Sequence, residues 1–371
     1  MCGIAGLLGE FGDHRAELRN MLDALVHRGP DEEGVYFDPM FAAGMRRLSI
    51  NDLSGGSQPL FNQDKSVVVF YNGEIYNFGE LRRALEAKGK VFRTHSDGEV
   101  IAHLYDDLGE AVFEQLDGMF AAAIWDARRR VLLLARDLPG EKPLYFVQVS
   151  KRQFAFASEV KALERISSLS LTLDRQAIWD FPTFLWIPEP RTAYLEIEAL
   201  PRGHVLVLRD GEANIRQYRN LHANALFDIS DDHAVVRTTR QVVEQAVKSR
   251  LLADVPIGSF LSGGLDSSIV ATIAARELPH LDTFTVSFED IDDPYHGKAD
   301  ESAAAAKTAA RIGSQHHIVH VTADSFRRNL DDFCRFGDQP FSVSSGLGIL
   351  AVASAAHDLG IKVLMTGDGA D

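Results

Sequence analysis

The chain has 371 residues, 46% hydrophobic and 25% charged, the composition of a globular protein too long for one ordinary domain, so two are expected. A formal net charge of −15 argues against a broad nucleic-acid or anionic-membrane surface but leaves room for a local phosphate pocket. With only two cysteines, no basic region ahead of the first apolar residues and no apolar run long enough to cross a bilayer, a cytoplasmic protein without disulfides is expected.

The chain opens MCGIAGLLGE, with Cys2 directly behind the initiator. A small residue at position 2 invites removal of Met1, which would leave Cys2 with its own free α-amine. A thiol activated by that amine is an N-terminal nucleophile; the plainer alternative is an incidental cysteine at a frayed end. Four runs, SVVVFYNGE, MFAAAIWDA, RVLLLARD and FAFAS, are predicted strands, rich in β-branched or aromatic residues and separated by turn-formers. GELRRALEAKG and DGEVIAHLYDDLG carry helical spacing and end at glycine. The pattern predicts a layered α+β domain of antiparallel sheets between helices. The stretch FPTFLWIPEPRTAYLEIEAL fits neither periodicity, GHVLVLRDGEANIRQY reads as a hairpin turning at Asp210-Gly211, and HANALFDISDD reads as a connector.

From Asp231 the pattern changes. A long helix, DDHAVVRTTRQVVEQAVKSRLL, precedes alternating segments: strand VPIGSFL, helix SSIVATIAARE, strand TFTVSFE, helix ESAAAAKTAARIG, strand HHIVHV, a further helix holding Cys334, and strand IKVLMTG. Alternation of this kind predicts an α/β domain on a parallel sheet. The expected domains are residues 2–218 and 236–371, joined by a connector at 219–235. Cys334 reads as an inert helix residue, and His316-His317 as part of a strand rather than a metal site.

SFLSGGLDSSIVA is the most specific short motif. Gly263 and Gly264 follow an apolar strand and let backbone approach an anion, while the amides opening the next helix point at it. Ser262, Ser267 and Ser268 add hydroxyl donors. A Walker loop would place a lysine before its last Ser/Thr, and here there is none. Asp266 beside phosphates implies a divalent cation between them. MTGDGAD brings a second glycine-acid loop to the carboxyl edge of the sheet, where open parallel sheets collect ligands. Asp300 and Glu301 suit a helix start or a ligand equally.

The phosphate loop resembles that of the N-type ATP pyrophosphatases, which cleave ATP to AMP and pyrophosphate. MCGIAG, HRGPDEEG, MRRLSI, YNGEIYN and THSDGEV, in that order, resemble a class II glutamine amidotransferase domain of the N-terminal-nucleophile type. Together the six motifs resemble a glutamine-hydrolysing asparagine synthetase over essentially the entire chain. The resemblance implies Cys2 as nucleophile, with Asn72 and Gly73 forming the oxyanion hole. It implies that glutamine is held by Arg47 at its α-carboxylate, by Glu74 and Asp97 at its ammonium, and by main-chain groups of Leu48 and Ile50. It further implies ATP held by Leu261, Ser262, Gly263, Gly264, Asp266, Ser267, Ser268, Val286, Thr366 and Gly367, with Mg2+ near Asp266 and Asp371. Taken singly, Asn72-Gly73 is an ordinary hairpin turn and Arg46-Arg47 an ordinary solvated pair. His27 and His95 are tempting bases that the amine of Cys2 makes unnecessary.

The expected reaction makes asparagine from aspartate through an aspartyl-adenylate, releasing AMP, diphosphate and glutamate. Members of the family are often dimers, so a homodimer is the assembly to test; no nucleic acid or membrane partner is expected. RDLPGEKPLYF keeps the family's glycine, lysine and PLY but carries Leu138-Pro139 ahead of the glycine, and MTGDGAD has threonine and aspartate in place of serine and glutamate. Relatives continue past Asp371 into a glycine-rich turn and a long helical region that completes the aspartate pocket. The chain is therefore expected to be a fragment or truncated form with an incomplete synthetase half. The rival readings are amidation of another carboxylate, glutaminase activity alone, and a non-catalytic binding protein.

Overall fold

The computed structural model describes residues 1–220, 231–288, 300–342 and 345–369. It divides into two units, Met1–Ala223 with Asp338–Ser342, and Asn224–Gly337 with Val343–Asp371. The connector expected at 219–235 lies largely outside the described residues, and so does Asp371; the connector's last residues are already helical.

The first unit contains β1 (Gly3–Gly9), β2 (Glu32–Phe37), β3 (Phe41–Arg47), β4 (Leu60–Phe61), β5 (Val67–Ile75), β6 (Gly118–Asp126), β7 (Val131–Arg136), β8 (Tyr145–Ser150), β9 (Gln153–Ala157), β10 (Ile197–Ala199), β11 (His204–Arg209) and β12 (Glu212–Gln217). They form two antiparallel sheets, ordered β10-β8-β9-β1-β3-β2 and β12-β11-β7-β6-β5-β4. The helices are α1 (His14–Asp23), α2 (Phe78–Ala87), α3 (Glu99–Leu108), α4 (Val160–Leu163) and α5 (Arg175–Phe184).

Side-chain alternation along the strands explains the layering. In β6, Ala121, Ala123 and Trp125 join Ile4, Phe41, Met45 and Phe156 of the facing sheet in one core. Phe120, Ala122 and Ile124, one residue out of phase, pack with Val100, Ile101 and Leu104 of α3 in a second. On the other sheet, Ala5 and Leu7 turn outward onto Leu18, Met21 and Leu22 of α1 and Val160 of α4. The central strands of each sheet are thus buried on both faces, which is why they read as nearly continuous apolar runs despite being antiparallel, while the edge strands β2 and β12 stay largely exposed. Val131–Arg136 is buried at every position.

Asn72-Gly73 lies within β5, as the strand SVVVFYNGE predicts and not at the hairpin turn the pair suggests when taken singly, paired with Ala121 and Phe120 of β6. The stretch without periodicity contains the end of α5, which includes Pro182 and buries only Ala177. Ile178, Trp179 and Phe184 face outward, so no wide helical stripe shows; the start of the helix is fixed by Asp174, whose side chain accepts from the Gln176 and Ala177 amides. The hairpin at Asp210-Gly211 is present, with φ of 52° and 82° supplied by residue types that tolerate the left-handed region.

The second unit contains β13 (Ile257–Phe260), β14 (Asp282–Phe288), β15 (Gln315–Val321) and β16 (Val363–Met365) in one parallel sheet ordered β15-β14-β13-β16. Its helices are α6 (Asp232–Ser249), α7 (Leu265–Glu277), α8 (Ser302–Ile312), α9 (Ala323–Gly337) and α10 (Ser345–Asp358). Two helices, not one, separate β15 from β16. Alanines let α7 and α8 pack closely around Leu261, while α10 covers Phe284. Cys334 is exposed on α9, and His316 and His317 lie in β15. Among the described residues no helix is long and apolar enough to cross a membrane.

Candidate active site

Cys2 stands one residue before β1, and the pairing of Gly3 with Arg46 sets it beside the end of β3, where Arg47 and Leu48 follow. Its thiol donates to the Leu48 carbonyl at 3.8 Å. β5 supplies Asn72, Gly73 and Glu74 from the facing sheet, and the turn before α3 supplies Asp97. All eight residues assigned to this site from the sequence line one hollow, with about 540 Å³ of empty space including its open mouth.

The walls are held rigidly. Arg47 is 5% exposed and donates through Nη1 to Glu32 Oε2 at 2.9 Å, and through Nη2 to the carbonyls of Asn51 and Asp52 at 3.0 and 2.8 Å. This guanidinium is part of the wall, not of the solvated surface that its neighbour Arg46 suggests. Asp97 accepts from the Ile75 amide at 2.7 Å and from the Tyr71 hydroxyl. A side chain at Gly98 would strike the Tyr71 ring at 2.0 Å, so glycine permits that packing. Gly73 is required by its neighbours: a Cβ there would lie 2.0 Å from the Met119 carbonyl oxygen and 2.6 Å from Phe120 Cα.

The electrostatics are those of a desolvated, mixed-charge pocket. Burial pushes the Cys2 thiol up, with the nearby α-amine, Arg47 and Arg28 opposing. Burial lowers the Met1 amine to about 5, so it is unprotonated at neutral pH. Glu74 is raised to about 7, by burial first and the Asp97 charge second. Asp97 is also raised by burial, against the hydrogen bonds from Tyr71 and Ile75. Burial lowers the Lys142 ammonium. The Asn72 Nδ2 group is buried without a hydrogen-bond partner. A buried amide donor left open in a pocket beside a thiol is what a developing oxyanion would use.

Tyr71, Gln58, Ser96, Asn51, Met119 and Lys142 also line the hollow and were not assigned from the sequence. Lys142 carried a signal, since it belongs to the KPLYF stretch; the others come from loops and strands with no distinguishing local pattern. His27 and His95 do not line it. His27 instead lies 3.1 Å from Glu159 Oε1.

Residues 1–219 match the family model described as a glutamine amidotransferase domain, and residues 238–371 match that of asparagine synthase. A putative glutamine-hydrolysing asparagine synthetase of Methanocaldococcus jannaschii is 30% identical over 100% of this chain and 74% of its own length. The chain belongs to the glutamine-hydrolysing asparagine synthetase family. Asparagine synthetase 1 of Bacillus subtilis is 34% identical and the amidase chyE of Penicillium rubens 33%, each over 100% of this chain and 58% of its own length. The chain therefore spans a little over half the length of several curated relatives.

In the second unit the SGGLDSS loop follows β13. Gly263 has φ 86°, and a Cβ there would press on Ala304 Cβ at 2.9 Å. Ser267 Oγ accepts from the Ser262 amide at 3.1 Å, and Ser268 Oγ donates to the Gly264 carbonyl at 2.6 Å. A Cβ on Gly367 would come within 2.7 Å of the Ser267 amide nitrogen, so the loop after β16 closes directly on this one. Leu261 is fully buried beneath the loop, Thr366 follows β16, and Val286 lies in β14 with its side chain against Gly348 of α10. Asp300 accepts from the Ser302 amide and the Ser287 hydroxyl, a helix-start role. No group of three or more His, Cys, Asp or Glu among the described residues is placed to hold a metal. Asp266 stands in the first turn of α7.

Proposed function

We propose that the first unit releases ammonia from glutamine and that, in a complete synthetase, the second unit spends ATP to activate aspartate for amidation to asparagine. The observation that carries the first half is the convergence of Cys2, the open Asn72 Nδ2 and the charged trio Arg47, Glu74 and Asp97 on one hollow. A guanidinium and two carboxyls are the complement of a zwitterionic amino acid.

With Met1 removed, the Cys2 amine takes the thiol proton and sulfur attacks the glutamine carboxamide carbon. The oxyanion is held by Asn72 Nδ2 and the Gly73 amide. The proton passes to the leaving nitrogen, ammonia departs, and water splits the thioester to glutamate and thiol. In the second unit, Ser262, Gly263, Gly264, Ser267 and Ser268 would cradle the ATP phosphates at the start of α7, with Asp266 meeting Mg2+, which supplies charge neutralisation there. The chain would work in the cytoplasm on small molecules.

Glutamate release by this chain, and its loss in Cys2→Ala, tests the first half; release by Cys2→Ala at the wild-type rate would refute it. For the second half, a chain extended to the relatives' length should release pyrophosphate on addition of aspartate. The second reading is amidation of another carboxylate, which stimulation by that acid and not by aspartate would establish.

A further inference from the structure

We infer that Glu159 is a positioning residue for the Cys2 thiol, acting through Arg28; the inference rests on the glutaminase reading of the hollow. Glu159 is 4% exposed and does not line the pocket. Arg28 joins it to the nucleophile: Nε donates to the Cys2 carbonyl at 2.9 Å and Nη1 to Glu159 Oε1 at 2.8 Å. Both bonds are charge-assisted and out of solvent, with the Arg28 side chain 9% exposed. Cys2 precedes the first strand and has no ladder partner of its own, so the guanidinium fixes its peptide plane and with it the direction of the thiol.

Glu159 Oε1 takes the hydrogen bonds from Arg28 and His27, while Oε2 is buried with no hydrogen-bond partner among the described residues and has only ion-pair neighbours. His27 Nε2 lies 3.0 Å from Oε2, and Lys161 Nζ lies 3.1 Å from the same oxygen. The preceding residue is stitched to β1, since Ser158 Oγ accepts from the Ile4 amide at 2.9 Å and the Ser158 amide donates to the Ile4 carbonyl at 2.8 Å. The following two amides, Val160 and Lys161, donate to Asp338 at 2.6 and 3.0 Å. Burial would raise the Glu159 carboxyl, but hydrogen bonds from His27 and Arg28 outweigh it and hold it at about 2, so the pair stays charged throughout the working pH range. A glutamate fixed this firmly against the second residue of the chain, yet away from substrate, has the geometry of a rail for the guanidinium. Arg28 also stands close enough to the thiol to favour its ionised form.

The test uses this chain with Glu159→Gln, Arg28→Ala and the double variant. Glu159→Gln should lower kcat for glutamate release about 10²-fold, the scale that a displacement of about 1 Å costs a reacting group, with KM nearly unchanged. If Glu159 works through Arg28, the double variant falls no further than the worse single. Wild-type kcat in Glu159→Gln, or losses that multiply in the double variant, would overturn the inference. Alkylation of Cys2 by iodoacetamide, followed by mass spectrometry, reads the thiol without turnover: slower labelling in Glu159→Gln supports the inference and an unchanged rate overturns it. A wild-type chain that labels normally but releases no glutamate would sink the glutaminase reading alone. Should Glu159→Gln fail to fold, Glu159→Asp, which keeps the charge one methylene back, is judged by the same criteria.

Discussion

Asn72→Ala separates stability from catalysis more sharply than any other change in the hollow. Asn72 is 1% exposed, and its Nδ2 lacks a partner in the buried wall. An unsatisfied buried donor costs the folded protein about 1–3 kcal/mol. The side chain borders a hollow, so truncation to alanine enlarges existing space and leaves no sealed void. The variant should therefore be as stable as wild type, or more stable by up to about 3 kcal/mol. In the transition state the same donor meets an oxyanion, and loss of one such donor lowers kcat by about 10²–10³-fold, or about 2.7–4 kcal/mol. Urea unfolding of the purified chain gives the first quantity, and steady-state glutamate release the second. A variant that loses several kcal/mol of stability while keeping kcat would refute the reasoning, because Nδ2 would then serve the fold rather than the reaction.

Gly73→Ala places a methyl 2.0 Å from a backbone oxygen of β6; it should destabilise the first unit and abolish glutamate release, seen as a lower melting temperature and no product. Glu74 titrates at about 7 and must be ionised to hold an ammonium, so KM for glutamine should climb as pH falls below 7, approaching tenfold per unit. Because its folded value lies above the ordinary one, the native state binds the extra proton, and stability should fall as pH rises from about 4.5 to 7. Glu74→Gln should flatten both profiles; a pH-independent KM in wild type would remove Glu74 from substrate binding. Protein isolated with Met1 attached should release no glutamate, since the amine then belongs to the wrong residue; intact-mass analysis of active and inactive fractions checks this.

Motifs fixed by chemistry were legible because they require particular atoms. Cys2, the NGE of β5, Arg47 and Asp97 are assigned through the resemblance of five ordered motifs to an amidotransferase domain, and all four segments meet in one hollow. The structure rules out the plainer alternatives: Asn72-Gly73 lies within the strand predicted for SVVVFYNGE rather than at a turn, and Arg47 is enclosed by Glu32 and two carbonyls rather than solvated. α5 escaped notice because it buries a single side chain, so periodicity had nothing to record.

The linear chain by itself determined the two-part architecture, the strand and helix alternation and the residue types a thiol-based amide hydrolysis needs, since these depend on hydrophobic period and side-chain chemistry. Only the tertiary structure decided which groups share a low-dielectric space. The raised Glu74 carboxyl, the orphaned Asn72 donor, and the line from Cys2 through Arg28 to Glu159 join distant residues, Arg28 and Glu159 alone being 131 positions apart. Their energies come from lost water and short through-space distances, which no local window of sequence contains.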